Sequence, residues 1–297
     1  MASPRIYGLI GNPVKHSLSP LMHNAAFKSL GINAEYRLFE ITPEKLENFL
    51  LKEVFSENIC GLNITIPYKV KAREILEDNF PFGQKGSLIQ ENLYYVKLSG
   101  AVNTVKREDD KLSYYNTDAT GFLRSLRQDL QFQSKSKNVL LIGCGGAGRA
   151  IIAALSWKQG VDKIYVNDMI PDAMDSAKKH FSAIPHLKDR LKFVSREEIP
   201  NIIKNCSLLI NASPLGMKGE NISAIDKSLF HKELTVYDIV YNREKETKLI
   251  REAKEYGLKV ADGLTMLLYQ GIDAFELWTG KDAPVEVMRN ALKGGIR

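Results

Sequence analysis

The sequence predicts an α/β chain of two domains, and two observations carry that expectation. Short apolar runs alternate with amphipathic helical segments along the whole length. Near mid-chain an apolar strand runs into the glycine-rich turn Gly143-Cys144-Gly145-Gly146-Ala147-Gly148, and a helix follows at once. At 297 residues the chain is long for one core and comfortable for two.

The first third reads as one mixed α/β domain. Arg5 to Gly11 is expected as a strand, Pro20 to Leu30 as a helix closed by Gly31, Glu35 to Ile41 as a strand, and Pro43 to Val54 as a helix opened by Thr42-Pro43. Gly61 to Ile66 follows as a strand, then a helix through about Leu76. Ala101 to Lys106 and Leu112 to Tyr115 pair as a hairpin across Glu108-Asp109-Asp110, which brings Asn103 near Asn116-Thr117-Asp118.

From Asn138 the alternation becomes regular. Asn138 to Ile142 is a strand, Gly146 to Lys158 a helix, Lys163 to Asn167 a strand and Pro171 to Phe181 a helix. Strands at Leu191 to Val194, Ser207 to Asn211, Thr235 to Val240 and Lys259 to Ala261 complete a parallel, doubly wound sheet. The last helices, Leu264 to Trp278 and Pro284 to Leu292, are expected to fold back on the first domain, because Leu264, Leu267, Leu268, Phe275 and Trp278 form an apolar stripe.

Composition narrows the function. Hydrophobic content of 44% and charged content of 26% are those of a globular protein. No apolar run reaches membrane-spanning length and Met1-Ala2-Ser3-Pro4-Arg5 has no signal-peptide core, so a cytoplasmic protein without a membrane partner is expected. The net charge of +6 is spread among acidic residues, as in Glu244-Lys245-Glu246-Thr247-Lys248, which argues against nucleic acid and fits small anionic ligands or plain solubility. Cys60, Cys144 and Cys206 are odd in number and far apart; they read as reduced thiols, and no metal site is expected.

Two stretches carry chemistry. In Gly61-Leu62-Asn63-Ile64-Thr65-Ile66-Pro67-Tyr68-Lys69, Leu62, Ile64 and Ile66 bury one face of the strand while Asn63 and Thr65 offer an amide and a hydroxyl on the other. Pro67 ends the pairing and puts Lys69 in the first turn of a helix, where the positive end of the dipole disfavours an ammonium and readies it to release a proton. The plain alternative is that Lys69 is one of 41 solvated Lys and Arg side chains. In the glycine loop, Gly143 permits the turn, Gly145 lets backbone approach a pyrophosphate, and Gly148 allows close helix packing. Asp168 ends the next strand about 20 residues beyond Gly148, the spacing of a Rossmann-type dinucleotide site. Ser213-Pro214-Leu215-Gly216 would lie at the same carboxyl edge of the sheet.

In this order the residues resemble the shikimate dehydrogenase family, from about Ile6 to about Gly280. Gly11-Asn12-Pro13-Val14-Lys15-His16-Ser17-Leu18-Ser19-Pro20-Leu21-Met22-His23-Asn24 looks like its GxPxxHSxSPxxHN signature, Gly61 to Lys69 its NxTxPxK strand, Gly100-Ala101-Val102-Asn103-Thr104 its GAxNT, and Asn116-Thr117-Asp118 with Gly121 its NTDxxG. The resemblance implies reversible NAD(P)-dependent reduction of 3-dehydroshikimate to shikimate, in aromatic amino-acid biosynthesis by way of chorismate. It implies Lys69 and Asp118 as the catalytic pair, Ser17 and Ser19 on the substrate carboxylate, and Asn63, Thr65, Asn103 and Gln270 on the ring hydroxyls or orienting the lysine, with Tyr241 also at a substrate position. Cofactor contacts fall by resemblance on Gly143, Gly145, Gly146, Ala147, Gly148, Asn167, Asp168 and Gly263. Residues 1–117 with 265–297 would then bind substrate, and 118–264 would form the NAD(P) domain, in a monomer or homodimer.

The residues make sense beside the resemblance. Reducing a ketone creates an alkoxide that needs a proton donor, and Lys69 can be that donor while Asp118 fixes its orientation. Asp118 could instead cap the helix Ala119 to Leu130, a task Asn116 or Thr117 could equally perform, and Ser19 could cap the helix after Pro20. Gln270, at the edge of an apolar stripe, could be a boundary residue.

Two departures from the family stand out. The stretch between Lys69 and Asn103 looks long and holds Phe80-Pro81-Phe82-Gly83 and Leu93-Tyr94-Tyr95, a loop expected to pack on this domain or a second subunit rather than act as a lid. Asn167-Asp168-Met169 stands where members using NADP carry Asn-Arg-Thr; a carboxylate there suits the ribose of NAD, unless Asp168 turns outward and a cation such as Arg149 takes the phosphate. NAD is therefore favoured here over the family's usual NADP. A quinate or quinate/shikimate dehydrogenase of the same fold, and a catalytically silent regulator that binds cofactor, are the alternatives.

Overall fold

The computed structural model describes residues 3–80, 87–157, 159–242 and 245–296, with the side chains of 87–90 excepted. The chain divides into two units, Met1–Gly121 with Leu267–Ile296, and Phe122–Met266.

The first unit is built on a five-stranded sheet in the order β2-β1-β3-β4-β5. Its strands are β1 Arg5–Gly11, β2 Ala34–Glu40, β3 Ile59–Ile64, β4 Thr104–Glu108 and β5 Lys111–Tyr115. β1 lies parallel to β2 and β3, while β3, β4 and β5 run antiparallel in turn. The expected hairpin is there, with Asp109 at φ 54 in its turn. The alternation in β3 does what its period demands: Leu62 and Ile64 join the core beside Ile10, Leu50 and Val105. The strand stops two residues short of the expected Ile66, because the chain turns at Thr65, whose carbonyl accepts the Tyr68 N–H.

Helix Ser19–Ser29 is closed by Gly31 at φ 60, the left-handed position glycine fills without strain. The segment expected as one helix from Pro43 to Val54 is helical over 43–56 but irregular, opening with a 3-10 turn and widening to a π turn over Phe49–Glu53. The aromatic stretch expected as a loop contains a helix, Ser87–Ser99, with Tyr95 and Val96 buried in this unit. Pro81, Phe82 and Gly83 lie outside the described residues, while Phe80 packs against the core and its carbonyl accepts the Tyr114 hydroxyl. Residues 267–296 belong to this unit, and Trp278 donates its indole N–H to the Val105 carbonyl at 2.8 Å.

The second unit holds a six-stranded sheet, order β11-β10-β9-β6-β7-β8, parallel throughout. The strands are β6 Asn138–Ile142, β7 Lys163–Asn167, β8 Leu191–Phe193, β9 Leu208–Asn211, β10 Thr235–Asp238 and β11 Lys259–Ala261. Counted from β6 this is the doubly wound 3-2-1-4-5-6 order of dinucleotide-binding domains. β6 and β9 are buried along almost their whole length, as inner strands of a two-faced sheet must be. Among the described residues no helix is long and apolar enough to cross a membrane.

Candidate active site

Three helices of the first unit begin with polar residues that sequence analysis singled out. Lys69 opens helix Lys69–Asn79, and its Nζ lies 2.6 Å from Asp118 Oδ2 in the first turn of helix Thr117–Leu130. The side chains are 12% and 6% exposed, so the solvated-lysine alternative falls. An exposed pair of this kind is worth about 1 kcal/mol or less, whereas removing one partner of a buried pair costs about 3–5 kcal/mol. Asp118 is not the helix cap: the Asn116 side-chain oxygen accepts the Ala119 N–H at 3.3 Å, leaving the Asp118 carboxylate for the lysine. An anion in that first turn also complements the helix dipole that disfavours Lys69 in its own helix.

Amides close around the pair. Asn103 Nδ2 donates to Asp118 Oδ1 at 3.0 Å and lies 3.3 Å from Gln270 Oε1, so Gln270 reaches the site and is not a mere boundary residue. The Gln270 amide nitrogen donates to the Leu267 carbonyl at 2.9 Å. Asn63, on β3, accepts the Tyr36 hydroxyl at 2.8 Å and donates to the Asn103 carbonyl and Thr104 Oγ1. Among the described residues nothing engages the Thr65 hydroxyl, two residues along, which leaves it for a ligand.

Ser17 and Ser19 stand at the start of helix Ser19–Ser29. Ser19 is its first residue, not its cap; Leu18 holds the cap position, and Ser17 Oγ accepts the Ser19 N–H at 3.2 Å while its hydroxyl reaches Ser19 Oγ at 3.2 Å. A helix start with hydroxyls over its free N–H groups suits a carboxylate. One turn on, His23 is fully buried, neither ring nitrogen is hydrogen-bonded among the described residues, and burial pushes it down to about 3, so it is neutral at physiological pH.

In the second unit the glycine loop has the form a dinucleotide needs. Gly143 sits at φ 99, and its N–H donates to the Asn167 carbonyl at 2.8 Å. A Cβ on Gly148 would come within 2.2 Å of the Gly143 carbonyl oxygen, so any other residue there would push helix Gly146–Ser156 off the loop. Gly145 opens on empty space, and Gly146 and Ala147 begin a helix whose N-terminus suits an anion. The chain therefore fits the cofactor by geometry. Asp168 faces the loop rather than outward: Oδ2 accepts the Cys144 N–H at 2.8 Å and Oδ1 the Ile170 N–H at 3.0 Å. Asn167 donates to the Val194 carbonyl at 2.9 Å. Beside them a cleft of about 440 Å³ is lined by Met169, Met174, Lys178, Ser195 and Arg196.

Arg149 is buried, donating to the Cys144 carbonyl and, at 2.7 Å, to Ser176 Oγ. Burial, with the Asp168 carboxylate adding to it, pushes the Cys144 thiol up to about 12, which removes it as a nucleophile. Gly263 is glycine for packing, since a Cβ would meet the Ile239 carbonyl oxygen at 1.9 Å. Tyr241 follows β10 in this unit and is half-buried, with neighbouring Asn242 donating to the Gly216 carbonyl at 2.8 Å.

Sequence reasoning quoted Thr104 within a motif but gave it no role, and passed over Tyr36 and Asp273. Asp273, one turn beyond Gln270, accepts the Thr120 hydroxyl at 2.5 Å. Position immediately after Asn103 was the signal available for Thr104; Tyr36 sits in a strand whose partner across the sheet no local pattern reveals.

A doubly wound nucleotide domain, joined in one chain to a buried lysine–carboxylate pair ringed by amides, defines an NAD(P)-dependent oxidoreductase. Residues 9–81 match the shikimate dehydrogenase substrate binding domain and residues 263–293 the shikimate 5'-dehydrogenase C-terminal domain. A shikimate dehydrogenase (NADP(+)) of Methanopyrus kandleri is 37% identical, with 100% of this chain and 97% of the relative covered. The crystal structure of shikimate dehydrogenase from Aquifex aeolicus superposes with a TM-score of 0.81 at 36% identity, covering 98% of each chain. The Listeria monocytogenes shikimate 5-dehydrogenase, solved with shikimate and NAD, gives 0.79 at 32% identity over 97% of this chain and 96% of that one. The chain belongs to the shikimate dehydrogenase family.

Proposed function

We propose that this chain interconverts 3-dehydroshikimate and shikimate with NAD(P), Lys69 exchanging the proton and Asp118 holding it in place. The observation that carries the reading is the 2.6 Å contact between these two side chains, buried and ringed by Asn103 and Gln270. NAD(P)H, when bound at the glycine loop, supplies the hydride. The remaining steps belong to the protein. Ser17 and Ser19 hold the substrate carboxylate at the start of their helix, and Thr65, Asn63, Asn103 and Gln270 set the ring hydroxyls, with Tyr241 as a further contact. Lys69 donates its proton to the oxygen that becomes the new hydroxyl and takes it back in the reverse reaction.

Residues 118–264 are assigned to the cofactor and the remainder to the substrate, except that Asp118, at the edge of that span, lies in the first unit beside Lys69. Asp168 favours NAD: placing a 2'-phosphate beside it costs of order 1 kcal/mol or more unless a cation intervenes. Lys178 and Arg196 line the same cleft and pull the other way, so the expectation is use of NAD at least as well as NADP. A cytoplasmic site of action is part of the reading, consistent with three free cysteines.

One spectrophotometric assay tests the substrate and the cofactor. Shikimate and quinate are each offered with NAD and with NADP. Turnover of shikimate well above quinate supports the reading, turnover of quinate alone moves the substrate, and no turnover with any pair leaves a silent homologue.

A further inference from the structure

The hydrogen bonds around Asp118 run in one direction, and two backbone groups fix that direction. Asn63 places one end of its amide 3.2 Å from the Asn103 carbonyl, which can only accept, so that end is Nδ2. Its oxygen therefore faces Tyr36, and the phenol must donate, at 2.8 Å. The Thr117 backbone N–H, which can only donate, lies 2.7 Å from Asn103 Oδ1, so Asn103 turns its Nδ2 toward Asp118 Oδ1. Thr104 sits between the two amides: its hydroxyl accepts from Asn63 Nδ2 at 3.1 Å and lies 3.2 Å from Asn103 Oδ1 as a donor. Thr117 Oγ1 lies 3.1 Å from Thr104 and 3.3 Å from Asn103 Oδ1, and it accepts from Asn103 Nδ2 at 2.9 Å, so that amide divides its donors between Thr117 and Asp118.

We propose that Tyr36 and Thr104 are positioning residues for the site, the head and the middle of a one-way chain of donors, Tyr36 to Asn63 to Thr104 to Asn103, that ends on the Asp118 carboxylate. Tyr36 bonds to Asn63, and Thr104 to Asn63 and Asn103, each at least one bond back from the carboxylate. Tyr36 is suited to the part because its ring cannot wander: it is 2% exposed, stacked on His23 at a centroid distance of 4.5 Å and 11° between planes, with Trp278 at 6.1 Å. Donors arranged head to tail polarise one another, so losing the first weakens the last. The inference rests on the site assignment above but concerns residues to which that assignment gives no part.

Tyr36→Phe removes one hydroxyl and keeps the ring; Thr104→Val removes the hydroxyl and keeps the shape, and Thr104→Ser restores it. In Tyr36→Phe the Asn63 amide loses its anchor, and KM for shikimate is expected to rise about threefold to tenfold, the worth of roughly one hydrogen bond, with kcat changed less. Thr104→Val is expected to lower kcat/KM about tenfold, and Thr104→Ser to recover it to within about twofold. The double variant Tyr36→Phe/Thr104→Val should lose less than the sum of the single losses, since both cut one chain.

A second readout needs no turnover. In the side-chain amide NMR spectrum, Tyr36→Phe should shift Asn103, two bonds further along the chain, as well as Asn63. If the wild type shows no activity toward shikimate, the site assignment fails while the spectrum still decides the chain of donors. Unmoved Asn103 resonances, additive losses in the double variant, or a lowered Tm with unchanged KM and kcat would each overturn the proposal.

Discussion

Replacing Ser17 by alanine removes two contacts at once, the bond its oxygen accepts from the Ser19 N–H and the hydroxyl it gives to Ser19 Oγ. Those contacts share in capping the helix start, so Ser17→Ala should cost about 0.5–1 kcal/mol by thermal melting. It should also raise KM for shikimate more than it lowers kcat, because a carboxylate anchor acts on the ground state as much as on the transition state. A large loss of stability with KM unchanged would make Ser17 purely structural. The polar residues were legible because they are short-range patterns: Asn63 and Thr65 alternate with apolar neighbours, and Asn116 and Asp118 open a helix. What could not be read was pairing across the sheet, as between Tyr36 and Asn63, and the choice of Asn116 over Asp118 as cap, which depends on where Lys69 lands.

Helix starts organise the site at the next scale. Helices Ser19–Ser29, Lys69–Asn79 and Thr117–Leu130 each carry in their first turn a residue assigned to substrate or proton transfer, and helix Gly146–Ser156 begins at the dinucleotide loop. The parallel sheet was legible from strand spacing, and four strands, Arg5–Gly11, Asn138–Ile142, Lys163–Asn167 and Lys259–Ala261, match their expected bounds. Helix Ser87–Ser99 was not, since its aromatic residues mask the helical period and read as a packed loop. The end of β7 carries the cofactor prediction. Asp168→Arg should raise the NADP-to-NAD ratio of kcat/KM by about tenfold or more, measured by initial rates, because it replaces a repulsive charge with an attractive one. An unchanged ratio would mean that the cleft cations Lys178 and Arg196, not position 168, read the ribose.

At the scale of the molecule, the two units carry opposite proton linkages. Asp238 is fully buried, and burial, opposed by hydrogen bonds from Thr247, Val240 and Asn211, pushes its carboxyl from 3.8 up to about 6. Its folded value is raised, so its favourable contribution is complete below about pH 3.8 and lost as pH rises through about 6, a change of about 3 kcal/mol. His23 is depressed from 6.5 to about 3, so its contribution is complete above about 6.5 and lost as pH falls toward 3. Between about pH 4 and 6 the two slopes oppose each other. Urea unfolding across that range should show Asp238→Asn gaining on the wild type as pH rises, and His23→Phe gaining as pH falls; parallel curves for all three proteins would refute both linkages. Neither group was legible as unusual in the sequence, because burial is a property of the assembled core. The proton-transfer role of Lys69 is decided by single-turnover oxidation of shikimate by Lys69→Ala, with shikimate binding measured in parallel. Turnover should fall by about 10²- to 10⁴-fold with binding retained, and turnover near that of the wild type would remove Lys69 as the proton donor.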